Sequence, residues 1–103
     1  MKSRLALQAK LIEVLGSSNV YFQPPEDIKL KYPCIIYERD AIDIDHADDI
    51  NYNKMVRYEL MYIDPNPDTN DFIEKLIDSF KYCSYNRHFV SDNLNHETFD
   101  LYY

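Results

Sequence analysis

The chain has 103 residues, 46% of them apolar and 15% aromatic, and its 18 acidic against 11 basic side chains give a formal net charge of −7. That length holds one domain with one core, and the apolar fraction argues against intrinsic disorder. The acidic balance opposes non-specific binding to nucleic acid, which takes a surplus of Lys and Arg, and no apolar run approaches the ~20 residues of a membrane span.

Charged and polar residues run through Lys2 to Glu13, so this segment lacks a signal-peptide core and is read as a helix. Ser3 is placed to cap that helix, which runs to about Leu15, and Gly16 to end it in a left-handed conformation. Its apolar stripe is read as Leu5, Ala9, Ile12 and Leu15, widened by Leu11. After a Ser17–Asn19 loop, Val20 to Phe22 is a short extended run. Pro24 and Pro25 then stop regular pairing, since neither donates a backbone hydrogen bond. Pro33 to Asp40 is the next strand, with an apolar start and a charged exit.

Asp40 to Asn53, DAIDIDHADDINYN, is dominated by aspartate and exceeds an ordinary hairpin loop of roughly two to five residues. We read it as a protruding acidic loop. Lys54 to Ile63 follows as the central strand, with Val56, Tyr58, Leu60 and Tyr62 on one face. Asp64-Pro65-Asn66-Pro67 is a turn, and Asp68 with Asp71 resembles a capping arrangement for a second helix to about Phe80. Phe72, Ile73, Leu76, Ile77 and Phe80 form its core-facing stripe. Tyr85 to Val90 and Glu97 to Tyr103 close the chain as a strand pair, joined through a turn at SDNLNH. The expected fold is α+β, a single mostly antiparallel sheet with two helices on one face in the order α-β-β-β-α-β-β. It forms one domain over residues 1–103 with the acidic loop at about 40–53.

The acidic loop is the one segment with the oxygen ligands a hard cation wants. Counted from Asp43, however, the sixth and twelfth positions are Asp48 and Lys54 where a calcium loop needs Gly and Glu. A solvated loop, or one that meets a positively charged partner, is preferred, and no metal or cofactor is assigned. Cys34 and Cys83 have no metal spacing and are read as a reduced, buried pair. His46, His88 and His96 have no spacing that makes a Cys–His nucleophile, and a chain with one Gly has no phosphate-cradling loop. Tyr52, Tyr58, Tyr62, Tyr82, Tyr85, Tyr102 and Tyr103 gather on and around the strands. Plain sheet residues fit them best and an oligomer interface next; a base-stacking platform would want basic neighbours. Loop length and composition make Asp43, Asp45, Asp48, Asp49 and Tyr52 the candidate protein-interface residues.

The whole chain resembles the small tail-terminator and neck (head–tail joining) proteins of tailed bacteriophages. The residues that carry the resemblance are VYFQPP at Val20–Pro25, KYPCIIYERD at Lys31–Asp40, YELMYIDPNPD at Tyr58–Asp68 and HFVSDNLNHETFDLYY at His88–Tyr103. It rests on overall pattern, covers nearly all residues and includes no catalytic motif, so no residue is carried over as catalytic. It implies an α/β subunit that assembles as a hexameric ring on the finished tail tube, stops its polymerisation and offers a docking surface to the head connector. The implied partners are further copies of the chain, the tail tube protein and a head-side connector, with no direct nucleic-acid readout and no membrane. The implied location is the virion, after synthesis in the host bacterial cytoplasm. A head-closure ring of the neck is the alternative within the same particle, and a small monomeric host-directed binding protein is the alternative of another class.

Overall fold

The computed structural model describes the backbone of residues 2–47 and 51–103 and the side chains of residues 2–42 and 55–103. Elements run in the order α1 (Arg4–Leu15), β1 (Val20–Phe22), β2 (Cys34–Ala47), β3 (Asn51–Asp64), α2 (Asn70–Ser79), β4 (Tyr82–Ser91), β5 (Leu94–Tyr102). The five strands form one sheet in the spatial order β1-β2-β3-β5-β4. β1 pairs with β2 in parallel and the other three pairs are antiparallel, so the fold is α+β with a mostly antiparallel sheet. β3 is the middle strand, as its alternation indicates.

One face of the sheet carries the core. Ile35 lies opposite Tyr62, Tyr37 opposite Leu60, Leu60 opposite Phe99 and Tyr58 opposite Leu101, and all of these side chains are buried. Leu7, Leu11 and Val14 of α1 and Leu76 of α2 close the same cluster, which places both helices on one face. The opposite face is mixed: Ile63 and Cys34 are buried, Met61 and Met55 half-buried, Glu38 and Glu59 exposed. One solvated face is the usual arrangement of an antiparallel sheet.

The helices start and stop mostly for the reasons their sequences give. The Ser3 hydroxyl accepts from the Ala6 amide at 3.0 Å, and Gly16 closes α1 at φ 77°, where a side chain would be strained. The buried stripe of α1 is rotated from the expected one, for Leu5 is 69% exposed while Leu7, Leu11 and Val14 are inside. Apolar residues stand nearly all round this helix, so spacing alone does not select a face. Packing selects it: the Tyr37 hydroxyl donates to Gln8 Oε1, and Gln8 Nε2 donates to the Val20 carbonyl at 3.0 Å. A buried phenol needs such a partner, so Gln8 belongs beside the sheet and Leu5 is left in water.

α2 also departs from its expected start. Its N-cap position is Thr69 rather than Asp68, and Thr69 makes no side-chain cap bond. Asp68 belongs instead to the preceding turn, where Asp64 Oδ1 accepts from the Asn66 amide at 2.9 Å and Asn66 Oδ1 from the Asp68 amide at 3.0 Å. The β4–β5 connection is shorter than read. Asp92 and Asn93 both take positive φ, 53° and 63°, and turn the chain in two residues, so β5 begins at Leu94 rather than Glu97. β4 begins earlier too, at Tyr82, and forms one edge of the sheet with a bulge at Asn86.

Candidate functional site

The largest departure from the expected fold falls on the acidic segment. Residues 40–47 and 51–53 are not loop: β2 continues to Ala47, β3 starts at Asn51, and the two stay in register from Ala41–Arg57 out to Ala47–Asn51. The period of two was present in Ile42-Asp43-Ile44-Asp45, hidden beneath the weight of aspartate. Asp40 is the extra residue between Arg39 and Ala41, and its carboxylate takes Arg57 Nε at 2.8 Å. Being half-exposed, this ion pair is screened by water and adds little stability; it ties the bulge to β3.

The neighbouring strands stop short of the segment's end. β1 last pairs at Phe22–Tyr37, and β5 last bonds β3 through the reciprocal Val56–Tyr103 backbone pair at 3.0 Å. Beyond those points β2 and β3 continue as a two-strand ribbon of five residue pairs, ~17 Å long. The molecule is correspondingly elongated, 49 Å in its longest dimension, with a radius of gyration of 14.4 Å against ~13 Å for a compact chain of this length. In a ribbon alternate backbone groups bond across the two strands and water can meet those that point outward, so it needs no further strand beside it.

Of the candidate interface residues, Asp43 and Asp45 lie on β2, opposite Met55 and Asn53, and Tyr52 lies on β3 opposite His46. The side chains of Asp43, Asp45 and Tyr52, and Asp48 and Asp49 altogether, are outside the described residues. The other tyrosines divide. Tyr58 and Tyr62 are core, Tyr82 and Tyr85 stand 42% and 40% exposed on the β4 edge, and Tyr102 and Tyr103 are half-buried at the root of the ribbon.

That root holds a feature sequence reading missed. A cavity of about 270 Å³ opens where Met55 leaves the sheet, and Lys2, Lys10 and Lys81 line it together with Phe80, Tyr82, Tyr102 and Tyr103. These lysines are 79 residues apart at their widest, so no local pattern announces them.

Among the described residues, cysteine and histidine are not brought together. Cys34 and His96 flank Ile63 across the sheet, two strands and about 10 Å apart. His96 stacks on Phe89, with ring centroids 4.6 Å apart. His88 lies 3.1 Å from Asn95 Oδ1 and 3.8 Å from Glu97. Glu97, which drew no attention in the sequence, is 2% exposed and accepts from Thr69 Oγ1 and the Tyr85 hydroxyl, each at 3.4 Å. This is why Thr69 does not cap its own helix: its hydroxyl ties the start of α2 to β5. The buried carboxylate has partners from the start of α2 and from β4, which is what allows it to sit there.

Burial raises the Cys34 thiol from 9.0 to about 11 and, with Asp100 nearby as a second cause, the Cys83 thiol to about 11. Both are therefore thiols rather than thiolates at neutral pH. Between pH 9 and pH 11 the unfolded chain gives up these protons while the folded chain keeps them, so stability falls as pH rises through that window. The urea midpoint should be level below about pH 8 and then decline, with Cys34 alone removing about 2 kcal/mol by about pH 11. Desolvation also raises Tyr37, Tyr58 and Tyr62, which prolongs the decline at higher pH. Cys34→Ala should flatten the slope, and an unchanged slope would show that the thiol is not its source.

No helix among the described residues is long and apolar enough to cross a membrane, and no group of three His, Cys, Asp or Glu side chains there is placed to hold a metal ion. In comparisons with known proteins, no family model and no curated protein matches the chain.

Proposed function

We propose that this protein is a structural component of a tailed phage: a tail terminator that forms a ring on the finished tail tube, stops its polymerisation and joins the tail to the head connector. The observation that carries most weight is the ribbon, which reaches ~17 Å beyond the sheet at one end of the subunit. A ring-forming subunit needs unlike patches on its two sides, because head-to-tail contacts close by rotation. The sheet supplies them: one edge is β4, and the other is β1 continued by the outer side of β2. An arm that extends past its own core is suited to hold a neighbour or the tube below. The sequence resemblance to phage neck proteins points the same way, and the location in the virion and the connector as partner come with it.

Negative-stain microscopy of the pure protein, alone and mixed with tail tubes, tests this. Rings seated on one end of each tube, with growth halted, are the expected result. Rings that ignore tubes would replace the terminator with a head-side layer of the neck. A persistent monomer that ignores tubes would overturn the ring in favour of a host-directed binder.

A further inference from the structure

We propose that the lysine-lined cavity at the root of the ribbon receives the acidic ribbon of a second copy of the chain. This deepens the ring reading and rests on it for the identity of the occupant.

Three of the 11 basic side chains of a protein with net charge −7 converge on one cavity, and among the described residues no Asp or Glu lines it. Each ammonium stands over an aromatic ring: Lys2 at 5.0 Å from the Tyr103 centroid, Lys10 at 4.5 Å from Phe80 and Lys81 at 5.3 Å from Tyr82. The rings hold the lysines by cation–π attraction without neutralising them. Among the described residues none of the three forms an ion pair. Three like charges held around one space repel each other until an anion enters. The ligand class is therefore a carboxylate-rich segment with apolar neighbours to lie against the rings.

The chain itself carries such a segment. Residues 40–53 contain five aspartates, interleaved with Ile42, Ile44 and Ile50, and no Lys or Arg. A subunit cannot use this segment on itself throughout its length. Met55 lines the cavity and is the first β3 residue beyond the last bond to β5, so the cavity marks the start of the ribbon. The paired backbone then carries Asp45 outward, with Asp48 and Asp49 beyond it in the chain. Asp43 is paired with Met55 at the cavity's own rung, but the paired backbone from Asp45 to Ala47 lies away from it, so between copies the root and the outer arm make a head-to-tail contact, the kind that closes a ring.

The test is charge exchange, read by size-exclusion chromatography with light scattering. One variant carries K2E, K10E and K81E; the other carries D45K, D48K and D49K. Wild type should form rings, each variant alone should elute as a folded monomer, and an equimolar mixture should regain the oligomer. Lys10 covers Phe80, so K2E with K81E alone serves if the triple variant does not fold. Rings formed by a folded lysine variant alone would overturn the cavity as the acceptor while leaving the ring itself standing, as would a folded pair that fails to assemble when mixed. Should wild type prove monomeric, the ring reading fails and the cavity is tested directly with a labelled peptide of residues 40–53. Binding that weakens about tenfold or more in the lysine variant, and weakens with salt, supports the acceptor role; no binding overturns it.

Discussion

A chain in which residues 44–54 are replaced by Asn-Gly should fold and yet leave tail tubes uncapped. Asp43 and Met55 face each other in register, so a two-residue turn closes the hairpin at that rung, and Asn-Gly supplies the two positive φ values it needs. Among the described residues the core cluster draws on β3 from Val56 onward and on β2 through Ile35 and Tyr37. The shortened protein therefore keeps its buried set, and its thermal midpoint should stay within about 5 °C of wild type. What it loses is reach. Under the terminator reading the ribbon is the contact with the neighbouring subunit or the tube, and its removal should abolish end-capping rather than reduce it. Microscopy of variant and tubes, beside a thermal melt, checks both halves. A variant that still caps tubes would remove the ribbon from the mechanism.

The largest stability effect belongs to Leu60. It is fully buried at the middle of the central strand, with Tyr37 on one neighbouring strand and Phe99 on the other. Leu60→Ala leaves a hole lined by two aromatic rings that the sheet backbone cannot close, which places the loss at about 3–5 kcal/mol. For a domain of this size that lowers the melting temperature by roughly 15–25 °C. Leu5→Ala is the informative contrast. The stripe expected from spacing puts Leu5 in the core, whereas the structure leaves it 69% exposed. Its removal should change stability by no more than about 0.5 kcal/mol. Equal losses at Leu5 and Leu60 in urea unfolding would contradict the packing of α1.

What the sequence made legible follows from how local each signal is. The core face of β3, the stripe of α2, the Ser3 cap and the Gly16 stop are set within a few residues, and all four stand in the structure as read. The face of α1 was not legible, because its choice is made by Gln8 meeting Tyr37, 29 residues away. The capping role of Asp68 failed for a related reason: the turn claimed its backbone, and Glu97 claimed the Thr69 hydroxyl. Reading 40–53 as loop came from weighing composition above alternation, since aspartate is poor in strands as a residue type yet tolerable where both faces meet water. The six residues of SDNLNH looked like a broad turn because Asp and Asn favour turns. Only the Asp92-Asn93 pair was needed, and the rest is strand. The cavity at the ribbon root was out of reach, being assembled from α1, β3, β4, β5 and the segment before β4.

Under the ring reading, the β4 edge bears on the life of the subunit before assembly. Ten residues of strand present their outer amides and carbonyls with no partner strand, and Tyr82, Tyr85 and Val90 are exposed along it. Such an edge is a template for any extended chain that meets it, including unfolded copies still leaving the ribosome. Asn86 breaks the run with its bulge, and Arg87 follows at once with a charge seated on Phe89. Together they divide the template into pieces shorter than the six or seven residues, roughly, that seed a fibril. Charge and bulge at these two positions are the devices that oppose edge-to-edge pairing, and under the ring reading they would keep free subunits dispersed until they assemble.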